Sequence, residues 1–218
     1  MELTEIFQKI IDRQRKIGYG FPDLLNKPAT TSEIEETEKQ LGLKFNDELN
    51  ALYLFANGEN PKGLPSGKTG LIPIHDFMDL EWAVQTFDNF AELKEPHEKR
   101  MANELMDAFY VYDKEVPNYI PGPQLFPFLT DGAGNYYWVD LNEGQPTYGK
   151  IFWTNTFGES ADYTFNSLTA MFQTILRCYE TGIIFIDYEG HLDCDDKKWR
   201  EVARSLNPGM EAYWDRYL

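Results

Sequence analysis

The stretch LFPFLTDGAGNYYWVDL, residues 125–141, sets a carboxylate, two glycines and an asparagine between two apolar runs. Such a loop could hold a calcium ion, cradle a phosphate, or simply reverse the chain. An EF-hand loop needs oxygen ligands at positions 1, 3 and 5, a glycine at 6 and a glutamate at 12. Counted from Asp131, Ala133 stands at position 3, Tyr136 at 6 and Asn142 at 12, so the ligand pattern fails. A phosphate loop needs a lysine that follows its glycines and opens a helix. Here Gly132 and Gly134 are followed by Asn135 and a strand pattern, and the loop itself is acidic. The expected structure is a tight turn in which glycine and asparagine supply positive φ angles.

Other chemistry-bearing residues are sparse. His75, His97 and His191 are scattered, and no serine sits in a G-x-S-x-G elbow. His191 and Cys194 in HLDC are two metal-ligand types, whereas a tetrahedral site wants three or four. The acidic run DYEGHLDCDD, residues 187–196, could hold a divalent ion, but acids at a turn and ahead of a helix also serve capping and the helix dipole. Paired carboxylates for glycoside hydrolysis cannot be singled out among 36 Asp and Glu. Tyr136, Tyr137, Trp138, Phe152 and Trp153 could line a groove, yet on alternating strands roughly half of them must face a core.

Composition narrows the function classes. The net charge of -16 repels phosphate backbones and anionic membrane surfaces, which argues against nucleic acid and membrane as partners and favours a basic protein. Two cysteines, Cys178 and Cys194, make no disulfide framework, so a reducing cytoplasm is the expected setting. The charged N-terminus MELTEIFQKIIDRQRK has no signal-peptide core, and no run approaches the ~20 apolar residues of a membrane span.

The elements that must position these residues follow from period and punctuation. Leu3, Ile6, Phe7, Ile10 and Ile11 mark one face of a first helix ending near Gly18. Thr30, Thr31 and Ser32 with Glu33 and Glu35 offer capping boxes for a second helix, closed by Gly42. A third helix runs from about Asn46 to Ala56, with Asn57-Gly58 as its stop. Leu71-Ile72-Pro73-Ile74 reads as the first strand, placed at an edge or strand end by its proline. Residues 79–116 read as a helical insertion broken near Pro96. LFPFL, YYWVDL, KIFWTN and ADYTF then alternate with short turns, which requires an antiparallel meander because parallel connections need longer crossovers. A helix over Ser167 to Tyr179, a strand in GIIFIDYEG and a helix from Asp195 to Leu206 complete the chain before NPGMEAYW.

Three stretches carry a family resemblance: IEETEKQLGLKFNDELNALYLFANGE, FPFLTDGAGNYYWVDL with GKIFWTNT, and SLTAMFQTIL. Their order and spacing resemble the SUKH superfamily, in its Smi/Knr branch named after fungal cell-wall-synthesis regulators. The similarity spans about residues 34–176, and Gly42, Asn57, Gly58, Gly132, Gly134 and Asp140 stand at motif positions. Asn46 replaces the family's usual proline, and Asn135 an aspartate that often follows the glycines.

The resemblance implies an α+β fold, an antiparallel β-sheet meander with helices packed against it, and a binding role without a cofactor, metal or catalytic residue. Bacterial members resemble immunity proteins that neutralise polymorphic or contact-dependent toxins, often nucleases; fungal relatives act as scaffolds. The expectation is a single domain over 1–218, with a C-terminal extension over 183–218, that binds a basic toxin domain. Asp131, Asn135, Tyr137, Trp138, Glu159 and Asp162 form the expected partner-binding set. A regulatory scaffold is the alternative, and a small hydrolase using Asp131, Asp140 or the carboxylates of 187–196 is the alternative of another class.

Overall fold

The computed structural model describes residues 1–60, 64, 68–93, 122–155 and 161–216. Glu159 and the second helix expected after Pro96 lie outside the described residues.

Helix α1 (Leu3–Lys16) buries Leu3, Ile6, Phe7, Ile10 and Ile11 along one stripe, and Arg13, Arg15 and Lys16 place positive charge at the negative end of its dipole. Helix α2 (Thr31–Leu41) starts with a complete capping box: Thr30 accepts from the Glu33 N–H while the Glu33 carboxylate accepts from the Thr30 N–H. It ends at Gly42, which adopts the left-handed conformation with φ 66°. Helix α3 (Asp47–Phe55) is capped by Asn46, whose side chain accepts the Leu49 N–H at 2.8 Å. The residue that departs from the family's proline therefore starts the helix by a different route.

The first strand differs from the expectation. Residues 71–74 do not form a strand; His75 N–H bonds Ile72 O at 3.2 Å, closing a turn with Pro73 and Ile74 at its centre. Proline fixes the first central position, and Ile74 takes the positive φ, 58°, that such a turn requires next. Strand β1 is only Asp76–Phe77.

Five strands form one antiparallel sheet in sequence order: β1, β2 (Leu125–Thr130), β3 (Tyr136–Asp140), β4 (Ile151–Thr154) and β5 (Asp162–Phe165). The meander expected from the short turns is thus present, with Phe126 opposite Val139 and Trp138 opposite Phe152. A register shift between Pro127 and Leu129 lets Phe126, Phe128 and Leu129 all be fully buried.

Helices cover both faces of the sheet. On one side α1, α3 and α5 (Leu168–Glu180) pack a core in which Phe7 meets Phe172 at 5.2 Å and Tyr53 meets Phe77 at 5.6 Å between ring centroids. On the other, α4 (Leu80–Glu92) brings Phe90 against Trp138 at 5.2 Å, beside Leu125 and Phe152. The sheet edge at β5 is closed by α7 (Glu211–Asp215), whose Trp214 donates Nε1–H to Thr164 O at 2.9 Å. Between them, β6 (Ile184–Ile186) and β7 (Leu192–Cys194) form a hairpin, and α6 (Asp196–Leu206) packs on α5. Strand β7 and helix α7 are not apparent from sequence pattern. The architecture is α+β. Among the described residues no helix is long and apolar enough to cross a membrane.

Candidate functional site

The 131–135 turn is organised by Asp131. Its Oδ1 accepts the N–H groups of Ala133 at 2.8 Å and Asn135 at 3.0 Å, and Oδ2 accepts from Asn135 Nδ2. Gly132 and Gly134 sit at φ 71° and 98°. The carboxylate thus stabilises backbone donors that the reversal would otherwise leave unpaired, a structural use rather than a catalytic one.

Of the residues expected to meet a partner, Tyr137 and Trp138 are buried, at 7% and 1% exposed. The reason is the second helical layer: Tyr137 points into the main core and Trp138 under Phe90, so neither ring forms part of an open groove. Trp138 also donates Nε1–H to Thr154 at 2.8 Å. Asp131 and Asn135 remain half-buried at the turn, and Asp162 pairs with Arg216 at 2.5 Å. Glu159 lies outside the described residues.

Asp140 is buried, accepting the Tyr163 hydroxyl at 2.5 Å and the Asn142 N–H at 2.8 Å. Asn57 and Gly58 position α4. The Asn57 side chain accepts the Leu80 N–H at 2.9 Å, and a Cβ on Gly58 would stand 2.2 Å from the Asp79 nitrogen.

In the β6–β7 hairpin Asp187, Glu189 and His191 bring ligand atoms within 4.8 Å of one another. Asp187 is already committed to the turn, accepting N–H groups from Glu189 at 2.9 Å and His191 at 2.8 Å. These bonds, the His191 N–H foremost, hold its carboxyl below the usual range. Cys194 belongs to the strand, and burial beside acidic neighbours pushes its thiol up to about 12, away from the thiolate a metal needs.

An acidic groove lies elsewhere, between α2 and α4. Glu33 and Glu36 of α2 face Glu81 and Asp88 of α4 across a groove of about 640 Å³ floored by Asn57 and Asp79. Glu33 and Asp79 also form hydrogen bonds that cap the starts of their helices. Among the described residues no lysine or arginine lines the groove or pairs with these carboxylates. Chemically this surface can attract and orient a cationic side chain. A signal existed in the sequence, since Glu33, Glu36 and Gln40 share one helical face, as do Glu81, Gln85 and Asp88. That the two faces adjoin is a tertiary fact that spacing does not carry.

No curated protein sequence matches the chain. The model of the SMI1 / KNR4 family (SUKH-1) matches residues 28–174, which takes in α2, α3, α4, the whole sheet and the first half of α5. With more than half of its length matched, the chain belongs to the SMI1 / KNR4 family (SUKH-1).

Proposed function

We propose that this protein is a non-catalytic binding module that neutralises a bacterial toxin by direct association, with the α2–α4 groove as the docking surface for a basic domain. The observation that carries the reading is the run of carboxylates along that groove, which among the described residues has no lysine or arginine partner, in a chain of net charge -16. Complementary charge speeds encounter and disfavours wrong partners. Family membership supports a role of the immunity or Smi/Knr type. Of the carboxylates that a hydrolase reading would use, Asp131, Asp140 and, within 187–196, Asp187 each hold backbone or side-chain donors of the fold, which favours the binding reading. A regulatory scaffold would use the same kind of surface.

The test is co-expression with the toxin domain encoded beside this chain. Cell survival together with a stable complex of the two purified proteins is expected. Neither survival nor complex would remove the reading.

A further inference from the structure

Behind the groove, the segment that follows Gly58 carries a buried carboxyl with no conventional partner. Glu59 is 2% exposed, and among the described residues no donor makes a hydrogen bond of ordinary geometry to either of its oxygens. Its neighbour is a second acid, Asp76 of β1, 9% exposed, whose Oδ1 accepts the Thr69 hydroxyl at 2.5 Å. Two ionised carboxylates side by side in a site this dry would repel each other and leave Glu59 unsolvated.

We propose that Glu59 and Asp76 share one proton, Glu59 donating it to the Asp76 carboxylate, and that this bond latches the 57–60 segment to the 69–77 segment at the back of the α2–α4 groove. A backbone contact already holds the two segments close: Glu59 N–H donates to Phe77 O at 2.9 Å. Tyr19 donates its hydroxyl to Thr69 O at 2.7 Å and so fixes the second segment from the other side of the chain. Gly58 fits against Asp79 only because it lacks a Cβ, so the chain just beyond β1 also packs closely on the 57–60 segment.

Among the described residues the surroundings supply no counter-cation. The titratable groups acting around the pair, among the described residues, are Tyr19 on one side and His75 on the other. Burial and the two acids raise the Tyr19 phenol, so it stays neutral, and burial lowers His75, so its ring is uncharged at neutral pH. The N–H groups of Gly70 and Phe77 draw the Glu59 carboxyl downward, but burial and then Asp76 outweigh them and raise it to about 9.

The linkage has a definite sign. Folded Glu59 keeps a proton that the unfolded chain releases near the ordinary glutamate value of about 4.3. The latch is therefore fully present below that pH, weakens as pH rises, and is lost as pH passes about 9. Over this window the unfolding equilibrium shifts about tenfold per pH unit on account of this one group.

The test compares the pH dependence of denaturant unfolding for the full chain and for Glu59→Gln, which keeps a donor beside Asp76 but cannot ionise. The expected result is that the slope between about pH 5 and 9 present in the wild type is absent in the variant. If the variant does not fold, the Glu59 carboxyl carbon is followed by NMR in the wild-type protein, with a midpoint near 9 expected. Equal slopes, or a carboxyl titrating near 4.3, would overturn the proposal. So would stabilisation of the wild type, but not of Glu59→Gln, by millimolar calcium chloride at pH 7, which would put a cation where the shared proton is proposed.

Discussion

Tyr163 of β5 reaches across β4 to donate its hydroxyl to Asp140 of β3 at 2.5 Å. Asp140 also holds the Asn142 N–H, so a single buried carboxylate ties the end of β3 to the loop that follows it and to the far strand. Its position within the family motif is thereby given a physical role.

Asp140→Ala should cost about 1–3 kcal/mol, because it removes a buried carboxylate that accepts from the half-buried Tyr163 hydroxyl and the Asn142 N–H together. Tyr163→Phe should cost less, about 1 kcal/mol. The double variant should fall short of the sum, as contacting groups do. Denaturant unfolding measures all three, and strict additivity would show that the pair does not act as one unit.

Two glycines with similar φ should respond differently to alanine. Gly132 at φ 71° opens into space, so Gly132→Ala carries only the left-handed backbone cost of about 1 kcal/mol. Gly58 at φ 67° adds a steric clash with the Asp79 backbone, so Gly58→Ala should lose several times more and displace the start of α4. Thermal melts of the two variants make the comparison.

The β6–β7 hairpin should respond to acid through Asp187. Its folded carboxyl sits below the ordinary aspartate value because the His191 N–H, and then the Glu189 N–H, bond the charged form. Its contribution is thus present above about pH 4, the ordinary aspartate value, and is lost as pH falls through the lowered folded value. The amide shifts of Glu189 and His191 should follow that single titration, and Asp187→Asn should abolish it.

Reversing charge in the α2–α4 groove should slow partner association without loosening the fold. Glu36→Lys, Glu81→Lys and Asp88→Lys alter exposed side chains. Each should lower the association rate several-fold, with the melting temperature nearly unchanged. The loss should shrink as salt is raised, because screening removes the same attraction.

Local rules carried much of this fold. The Thr30–Glu33 capping box, the Asn46 and Ser167 caps and Gly42 fix helix ends through groups close in sequence, and short turns force an antiparallel meander. Leu71-Ile72-Pro73-Ile74 misled because apolar, β-branched residues suggest a strand, whereas Pro73 and the positive φ of Ile74 make a turn. The HLDC segment pairs two ligand types in sequence, but His191 sits at the hairpin turn beside Asp187 and Glu189 while Cys194 lies in β7. Tyr137 and Trp138 illustrate a more general limit: alternation separates two faces of a strand but does not say that both will be covered. The groove and the Glu59–Asp76 contact join residues from distant segments, which no local period reports.

The most direct measurement is the affinity of the purified protein for the neighbouring toxin domain, compared with that of the Glu36→Lys, Glu81→Lys, Asp88→Lys triple variant by calorimetry at low and high salt. A tight complex for the wild type, weakened at least tenfold in the triple variant and more so at low salt, is the predicted result. No complex would contradict the binding role, and equal affinity for the folded variant would contradict the groove as its surface.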